Sequence, residues 1–111
     1  MIYNYKITKS AYDDIDNALD YIANKLQNVK SAKKLYDEIY NKIGKVCREE
    51  IYSKDCRYYG IDDETIRRVN VKKYILVFKI DNKNELITII RVLHEMQDIA
   101  SILKNIGEGL F

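Results

Sequence analysis

Five side chains that could contact an anion or transfer a proton lie in one part of the sequence, between positions 66 and 94. They are Arg67, Arg68, Lys73, Arg91 and His94. Arginine can hold a phosphate through two parallel hydrogen bonds, and histidine can act as an acid or a base near neutral pH. Cleavage of RNA through its own 2′-hydroxyl requires such groups, with Arg68 and Arg91 as a phosphate clamp and His94 as the acid or base.

A structural interpretation of the same residues remains open. His94 could cap the end of a strand, and Arg91 could form an ion pair, for example with Asp98. We favour this interpretation for His94, because a single histidine without a paired base is a weak indication of catalysis. Neighbouring residues in a strand point to opposite faces, so Arg67 and Arg68 cannot both share a site with Arg91. Of the two, we favour Arg68.

The positive charge of the chain is concentrated in this region. Seven basic and two acidic residues fall between positions 66 and 94, a net charge of +5, whereas the whole chain carries +2 and the remainder therefore −3. This asymmetry indicates an anionic partner, although lysines on a solvated strand are its more common cause. We expect the partner to contact a set of five residues: Arg67, Arg68, Lys73, Arg91 and His94.

The same region predicts three antiparallel strands in a meander. Three runs rich in Val, Ile, Tyr and Phe have the length of single strands and are separated by short breaks with turn composition. The runs are Ile66–Val71, Tyr74–Ile80 and Leu86–Leu93. The second and third runs are apolar on both faces, which indicates that both faces of the sheet are covered. Strict alternation in the third run places Ile90 and Val92 on one face.

Helical periodicity before and after the meander predicts the covering elements. A first strand over Ile2–Ile7 precedes two apolar stripes at helical spacing, which predict an αα-hairpin. Ser10 and Ser31 are the predicted N-caps of these helices, and a last helix is predicted from Asp98 to Gly107. We expect the acidic residues of the first helix to form a solvated face and to complement the helix dipole.

We therefore predict an α+β fold of the order β-α-α-β-β-β-α. An antiparallel sheet of about four strands carries the N-terminal helical hairpin on one face, and a C-terminal helix follows. The segment Arg48–Glu64 shows no periodicity and is predicted to be a loop bent at Gly60. A chain of 111 residues has the size of a single domain, which we assign to positions 1–111.

Composition argues against several classes of protein. Apolar residues at 47% and charged residues at 32% are typical of a folded globular chain. No apolar run approaches the roughly 20 residues that a membrane helix needs, and no secretory signal is apparent, so we expect a cytoplasmic protein without a membrane partner. Cys47 and Cys56 form no CxxC pair, so we expect reduced thiols, no metal and no cofactor. No small-molecule ligand is expected.

Several segments, in this order, resemble the RelE/ParE family of bacterial toxins. They are the β-α-α-β-β-β order, Arg67-Arg68 in the second strand, KYILVFKID at Lys73–Asp81, and IRVLH at Ile90–His94 followed by Gln97-Asp98. The likeness extends from Tyr3 to about Leu103, and its most specific part is the R-V-L-H-x-x-Q-D stretch. The resemblance implies the toxin of a type II toxin–antitoxin system, a growth-inhibiting cytoplasmic protein that a co-transcribed antitoxin neutralises.

The branches of that family differ in their targets. RelE-like members cut mRNA in the ribosomal A site, whereas ParE-like members share the fold, act on DNA gyrase and have no recognised nuclease site. RelE-like nucleases commonly have an arginine after the aromatic residue that opens the third strand, but here Ile75 follows Tyr74. They often carry further basic residues or Tyr after the last strand, where this chain has only His94. The resemblance therefore implies ParE-like gyrase inhibition, with a RelE-like ribosome-dependent mRNA endoribonuclease as the alternative.

Overall fold

The computed structural model describes residues 2–48 and 53–106. Its elements, in chain order, are β1 (Asn4–Ile7), α1 (Lys9–Asp20), a π-helical turn (Tyr21–Lys25), α2 (Val29–Cys47), β2 (Lys54–Asp55), a 3-10 turn (Arg57–Tyr59), β3 (Ile66–Val71), β4 (Tyr74–Asp81), β5 (Leu86–His94) and α3 (Ile99–Ile106). Gly107, the predicted end of the last helix, lies outside the described residues.

The predicted α+β class and the β3–β4–β5 meander are confirmed, and two details of the sheet differ. The sheet has five strands in the order β1-β5-β4-β3-β2 and is mixed, because β1 pairs parallel with β5. The fifth strand, β2, comprises Lys54 and Asp55 and pairs with Arg68 and Arg67 at the edge of the meander. Two residues are too few to show alternation, so this strand lay inside the segment predicted as a loop.

Both faces of the sheet are covered, as the apolar strands required. The α1–α2 hairpin covers one face, where its buried residues pack against buried residues of the strands, among them Ile15, Leu35, Ile39, Ile43, Leu76, Phe78, Ile87, Ile89 and Val92. Helix α3 and the 3-10 turn cover the other face, where Ile99 and Leu103 of α3 belong to one buried cluster with the strand residues Ile75, Val77, Ile90 and Leu93. The larger cluster on the hairpin face is therefore the main core of the domain.

A β-bulge in β5 changes the faces to which its last residues point. Val77 pairs with Arg91 while the next residue of β4 pairs with Ile89, so Ile90 is an extra residue in β5. The prediction that Ile90 and Val92 share a face is therefore wrong: Ile90 faces α3, whereas Val92 faces the hairpin. Bulges of this kind redirect side chains. The bulge at Ile90 therefore sets the direction of Arg91 and His94, the two candidate site residues in the last part of β5.

The N-caps of the two hairpin helices are Thr8 and Asn28. Thr8 has an extended backbone, and its Oγ1 accepts a hydrogen bond of 3.2 Å from the Ala11 N–H. In α2 the Oδ1 of Asn28 accepts a hydrogen bond of 3.0 Å from the Ser31 N–H. The predicted caps Ser10 and Ser31 are wrong by two or three positions, because both lie inside the first turn of their helices.

The two cysteines lie in different cores. Cys47 belongs to the cluster on the hairpin face and Cys56 to the cluster on the α3 face, and both are buried free thiols. The sheet between them prevents a bridge. Burial raises the pKa of Cys56 to about 11, so this thiol stays protonated at neutral pH. Across residues 2–48 and 53–106, no helix is long and apolar enough to span a bilayer.

We predict that Thr8→Ala lowers the free energy of unfolding by about 1 to 2 kcal/mol. The Thr8 hydroxyl caps α1 and also donates a hydrogen bond of 2.9 Å to the Ile90 carbonyl oxygen, so both contacts are lost together. Urea unfolding followed by circular dichroism measures the change. Thr8→Ser is the matched control, since it keeps the hydroxyl and should retain most of the stability; an equal loss in both variants would contradict the prediction.

Candidate functional site

The five residues expected to contact a partner lie in four separate places. Arg67 is on the hairpin face, where its Nη2 donates to the Ser53 carbonyl oxygen at 2.6 Å and its Nε to the Ser53 hydroxyl at 3.3 Å. Arg68 is on the opposite face, where its Nε donates to the Asp55 carbonyl oxygen at 3.0 Å and its guanidinium lies 5.0 Å from the centre of the Tyr59 ring. Each of these two arginines therefore holds the short edge strand or the turn that follows it.

Arg91 forms the best-shielded ion pair among those the structure describes. Its Nε and Nη2 donate to the two carboxylate oxygens of Asp14 at 2.7 and 2.8 Å, and the side chains are 24% and 13% exposed. Asp14 Oδ2 also accepts a hydrogen bond of 2.9 Å from the Val92 N–H. The hydrogen bond to Asp14 is the main cause of the raised pKa of Arg91.

Asp14 is the partner of Arg91 that the sequence interpretation missed. The expected partner of Arg91, Asp98, instead caps α3 by accepting hydrogen bonds from the backbone and hydroxyl of Ser101. Asp14 was assigned to a solvated face, and its partner lies 77 residues away in sequence. One local signal was present, because Asp14 immediately precedes the apolar stripe that faces the sheet. A carboxylate at the border of a buried stripe often has a partner.

Lys73 and His94 line a common cleft of about 730 Å³ at one end of the molecule. Its walls come from α1, the π-helical turn, the start of β4 and the end of β5, and include Asp14, Asn17, Tyr21, Ile22, Leu26, Tyr74, Val92, Met96 and Gln97. Three large side chains on its rim are exposed: Met96 at 83%, Leu26 at 55% and Tyr21 at 51%. We refer to this feature as the end cleft.

His94 is held by the turn that follows β5. Its backbone N–H donates to Gln97 Oε1 at 2.7 Å, and its Nδ1 accepts a hydrogen bond of 3.1 Å from the Met96 N–H. The imidazole meets the Tyr74 ring edge to face, with centroids 5.1 Å apart. Because Nδ1 accepts, a neutral ring carries its proton on Nε2. The Lys73 carbonyl oxygen accepts from the Glu95 N–H at 2.8 Å, which ties the β3–β4 turn to the same segment.

The chemistry of the end cleft suits binding better than proton transfer. Asp14 already accepts three hydrogen bonds, and burial, with a smaller contribution from Tyr21, raises the pKa of Tyr74, so that its hydroxyl stays protonated. A cation at Lys73, an imidazole and an apolar rim can hold an acidic side chain beside an apolar one. In the part of the chain that the structure describes, no three His, Cys, Asp or Glu residues are placed to hold a metal ion.

Comparison with known proteins identifies the class to which this fold belongs. The family described as the ParE toxin of the type II toxin–antitoxin system parDE matches residues 5–99. The chain belongs to this family and is the toxin component of a type II system. A search of curated proteins found no significant match.

Two solved structures show the same fold. A chain of the chromosomal ParDE system from P. aeruginosa is 16% identical with a TM-score of 0.65, and the match covers 84% of this chain and 96% of the other. A chain of the toxin–antitoxin complex RelBE2 from Mycobacterium tuberculosis is 18% identical with a TM-score of 0.51, and the match covers 85% and 99%. Both branches of the resemblance are thus represented among the structural relatives.

We predict that Asp14→Ala lowers the free energy of unfolding by about 1.5 to 3 kcal/mol, because it leaves the Arg91 guanidinium and the Val92 amide without their shared partner. Asp13→Ala is the matched control on the same helix. Asp13 pairs with Lys9 on the surface, with side chains 57% and 89% exposed, so its loss should cost less than about 1 kcal/mol.

A double-mutant cycle separates the ion pair from other effects of the substitution. In an Arg91→Leu background, Asp14→Ala should cost clearly less than in the wild type, since the charge that it orphans is absent. Urea unfolding of the four proteins measures the coupling. An equal cost in both backgrounds would show that the ion pair contributes nothing to stability.

Proposed function

We propose that this toxin acts in the ParE manner, by binding DNA gyrase and inhibiting it, and that a cognate antitoxin neutralises it by binding the end cleft. The observation that carries the proposal is the separation of the groups that an RNA-cleaving site would bring together. Arg68 and Arg91 are each engaged in a structural contact at a different edge of the meander, and His94 lies at the end of β5.

The register of the sheet sets the distance between the two arginines. Arg68 and Arg91 both pair with Val77, from β3 and β5 respectively, so their Cα atoms are about 10 Å apart, or two interstrand spacings. Their guanidinium groups turn away from this row, one to the Asp55 carbonyl and the other to the Asp14 carboxylate. For the two arginines to hold one phosphate, the Arg91 guanidinium would have to turn away from Asp14, which would leave a shielded charge without its partner.

The end cleft offers a surface that an antitoxin segment can occupy. An amphipathic segment could place apolar side chains against Met96, Leu26 and Tyr21 and an acidic side chain beside Lys73 and His94. The two structural relatives are described as members of toxin–antitoxin systems, which supports a protein partner of this kind. Charge complementarity of this type favours fast and selective association.

One observation favours the alternative, a RelE-like ribosome-dependent mRNA endoribonuclease. Lys73, His94, Tyr21 and Tyr74 share one cleft, and a cation, an imidazole and phenols are groups that can bind a phosphate and transfer protons during RNA cleavage. The two functions therefore predict different effects of a substitution at His94. A nuclease depends on such a group by orders of magnitude, whereas a binding surface spreads its free energy over several contacts.

We predict that the wild type inhibits gyrase supercoiling without codon-specific cleavage of translated mRNA, and that His94→Ala weakens the inhibition by less than about tenfold. Supercoiling assays and primer extension on the same protein preparations measure both outcomes. Lys83→Ala, in the exposed β4–β5 turn, is the control for a surface cation outside the end cleft. Codon-specific cleavage that disappears in His94→Ala would overturn the gyrase assignment.

We predict that the toxin and the product of the adjacent small open reading frame co-purify as a tight 1:1 unit through a tag on one chain. Lys73→Glu should weaken this complex by about tenfold or more, because it places like charges together in the end cleft. Lys83→Glu makes the same charge change elsewhere and should leave the affinity unchanged. Failure to recover the second chain, or equal effects of the two substitutions, would count against the end cleft as the antitoxin site.

A further inference from the structure

Sulfur oxidation is a chemistry that the proposed function does not use, and the structure separates the sulfur-containing residues into two kinds. The chain has two cysteines and two methionines, of which Cys47, Cys56 and Met96 lie within residues 2–48 and 53–106. Cys47 is 4% exposed and Cys56 is 0% exposed, whereas Met96 is 83% exposed. Met96 is therefore the one exposed sulfur-containing residue in the part of the chain that the structure describes.

The two cysteines are protected from oxidation by protonation as well as by burial. The thiolate is the form of cysteine that reacts with peroxides, and the protonated thiol reacts slowly. Burial raises the pKa of Cys47, and it raises the pKa of Cys56 to about 11. Both thiols therefore stay protonated at neutral pH. A thioether has no proton to lose, so the reaction of Met96 with a peroxide depends on access and not on an acid–base equilibrium.

The position of Met96 gives its oxidation a consequence for binding. Met96 lies on the rim of the end cleft together with the exposed apolar residues Leu26 and Tyr21. The turn that carries Met96 is fixed by hydrogen bonds, because the Met96 N–H donates to His94 Nδ1 at 3.1 Å and the His94 N–H donates to Gln97 Oε1 at 2.7 Å. A partner that fills the end cleft therefore meets the Met96 side chain at a defined place on its rim.

We propose that Met96 is an oxidation site through which hydrogen peroxide weakens the complex of this toxin with its antitoxin. The inference rests on the proposed function, in which the antitoxin binds the end cleft. One oxygen atom of the peroxide forms a bond to the Met96 sulfur while the O–O bond breaks, and the other oxygen leaves as water with both hydrogens. The thioether is oxidised to a sulfoxide and the peroxide is reduced to water.

A sulfoxide on the rim of the end cleft disfavours an apolar partner. Methionine is a flexible apolar side chain, whereas its sulfoxide is polar. Burying the sulfoxide oxygen against apolar side chains of the antitoxin, without a hydrogen-bond donor, costs free energy. Because the antitoxin covers Met96 in the complex, peroxide reacts with toxin that has dissociated, and the oxidised toxin then rebinds weakly. Methionine sulfoxide reductases reverse the change.

The experiment measures the affinity of the full-length toxin for the product of the adjacent small open reading frame, before and after treatment with hydrogen peroxide. Mass spectrometry of peptides from the treated toxin identifies the oxidised residue. We expect one added oxygen at Met96, unmodified Cys47 and Cys56, and an affinity that is lowered at least about tenfold. The two methionine sulfoxide reductases, one for each sulfoxide epimer, should together restore the affinity. Bound antitoxin should slow the oxidation of Met96.

Three variants, each compared with itself before and after treatment, assign the effect to the position of the methionine. Met96→Leu removes the sulfur and keeps an apolar side chain, so peroxide should not change its affinity. Met96→Gln places a polar side chain on the rim and should weaken binding without peroxide. Val29 is apolar and 71% exposed on α2, outside the end cleft. The double variant Val29→Met, Met96→Leu therefore carries an oxidisable methionine elsewhere, and its affinity should not respond to peroxide.

The outcomes distinguish this inference from the proposed function. An affinity of Met96→Leu that falls after peroxide, oxidation of the cysteines before Met96, or an unchanged affinity of the oxidised wild type would each overturn the proposal. If Lys73→Glu weakens the complex and oxidation of Met96 does not, the end cleft remains the antitoxin site and only this inference fails. If neither change weakens the complex, the end cleft is not the antitoxin site and both fail.

Discussion

The hydrogen bonds of Asp14 join the two layers of this toxin at the point where the sheet is incomplete. Strand β1 ends at Ile7, so the last residues of β5 have no neighbouring strand on that side. Thr8 and Asp14 take the place of the missing strand, one bonding to the backbone at Ile90 and the other to the Val92 N–H. The Arg91 guanidinium compensates the carboxylate that this arrangement brings in from solvent.

The end cleft depends on this junction. Its floor at Val92 and its polar edge at His94 belong to the segment of β5 that Asp14 holds, and its opposite wall belongs to the helix that carries Asp14. The bulge at Ile90 places Arg91 opposite Val77 in the register, and from there its guanidinium reaches the Asp14 carboxylate. The Asp14–Arg91 ion pair thus joins the two layers of the fold, and by doing so it shapes the end cleft.

The sequence predicted the parts of the fold that follow from dense local patterns. The bounds of β3 were correct, and those of β4 and β5 were within one residue, because β-branched runs between turns leave little choice of boundary. Alternation failed at Ile90, since a bulge depends on a register between strands and not on composition. The short β2 strand was missed because two residues show no alternation, and the caps Thr8 and Asn28 were missed because serines, which are also good caps, lie two or three residues further on.

The contacts of the candidate site residues could not be predicted from local patterns. Composition and spacing identified which side chains carry charge, but the partners of Arg67, Arg68 and Arg91 follow from tertiary contacts, the longest across 77 residues. The family could be inferred from a few motifs because the strands that carry them form the common fold. The surfaces that distinguish one toxin from another lie on helices and turns, where the sequence gives little sign of which faces meet.

The π-helical turn has a consequence for how this surface could change between relatives. The Leu26 N–H bonds to the Tyr21 carbonyl oxygen, five residues back instead of four, so the turn holds one residue more than an α-helix would. Deleting one residue there would restore α-helical bonding and rotate the following side chains by about 100° around the helix axis. Leu26 would then leave the rim of the end cleft while α1 and the sheet kept their positions. Deletion of a single codon would therefore change one wall of the end cleft without altering the core.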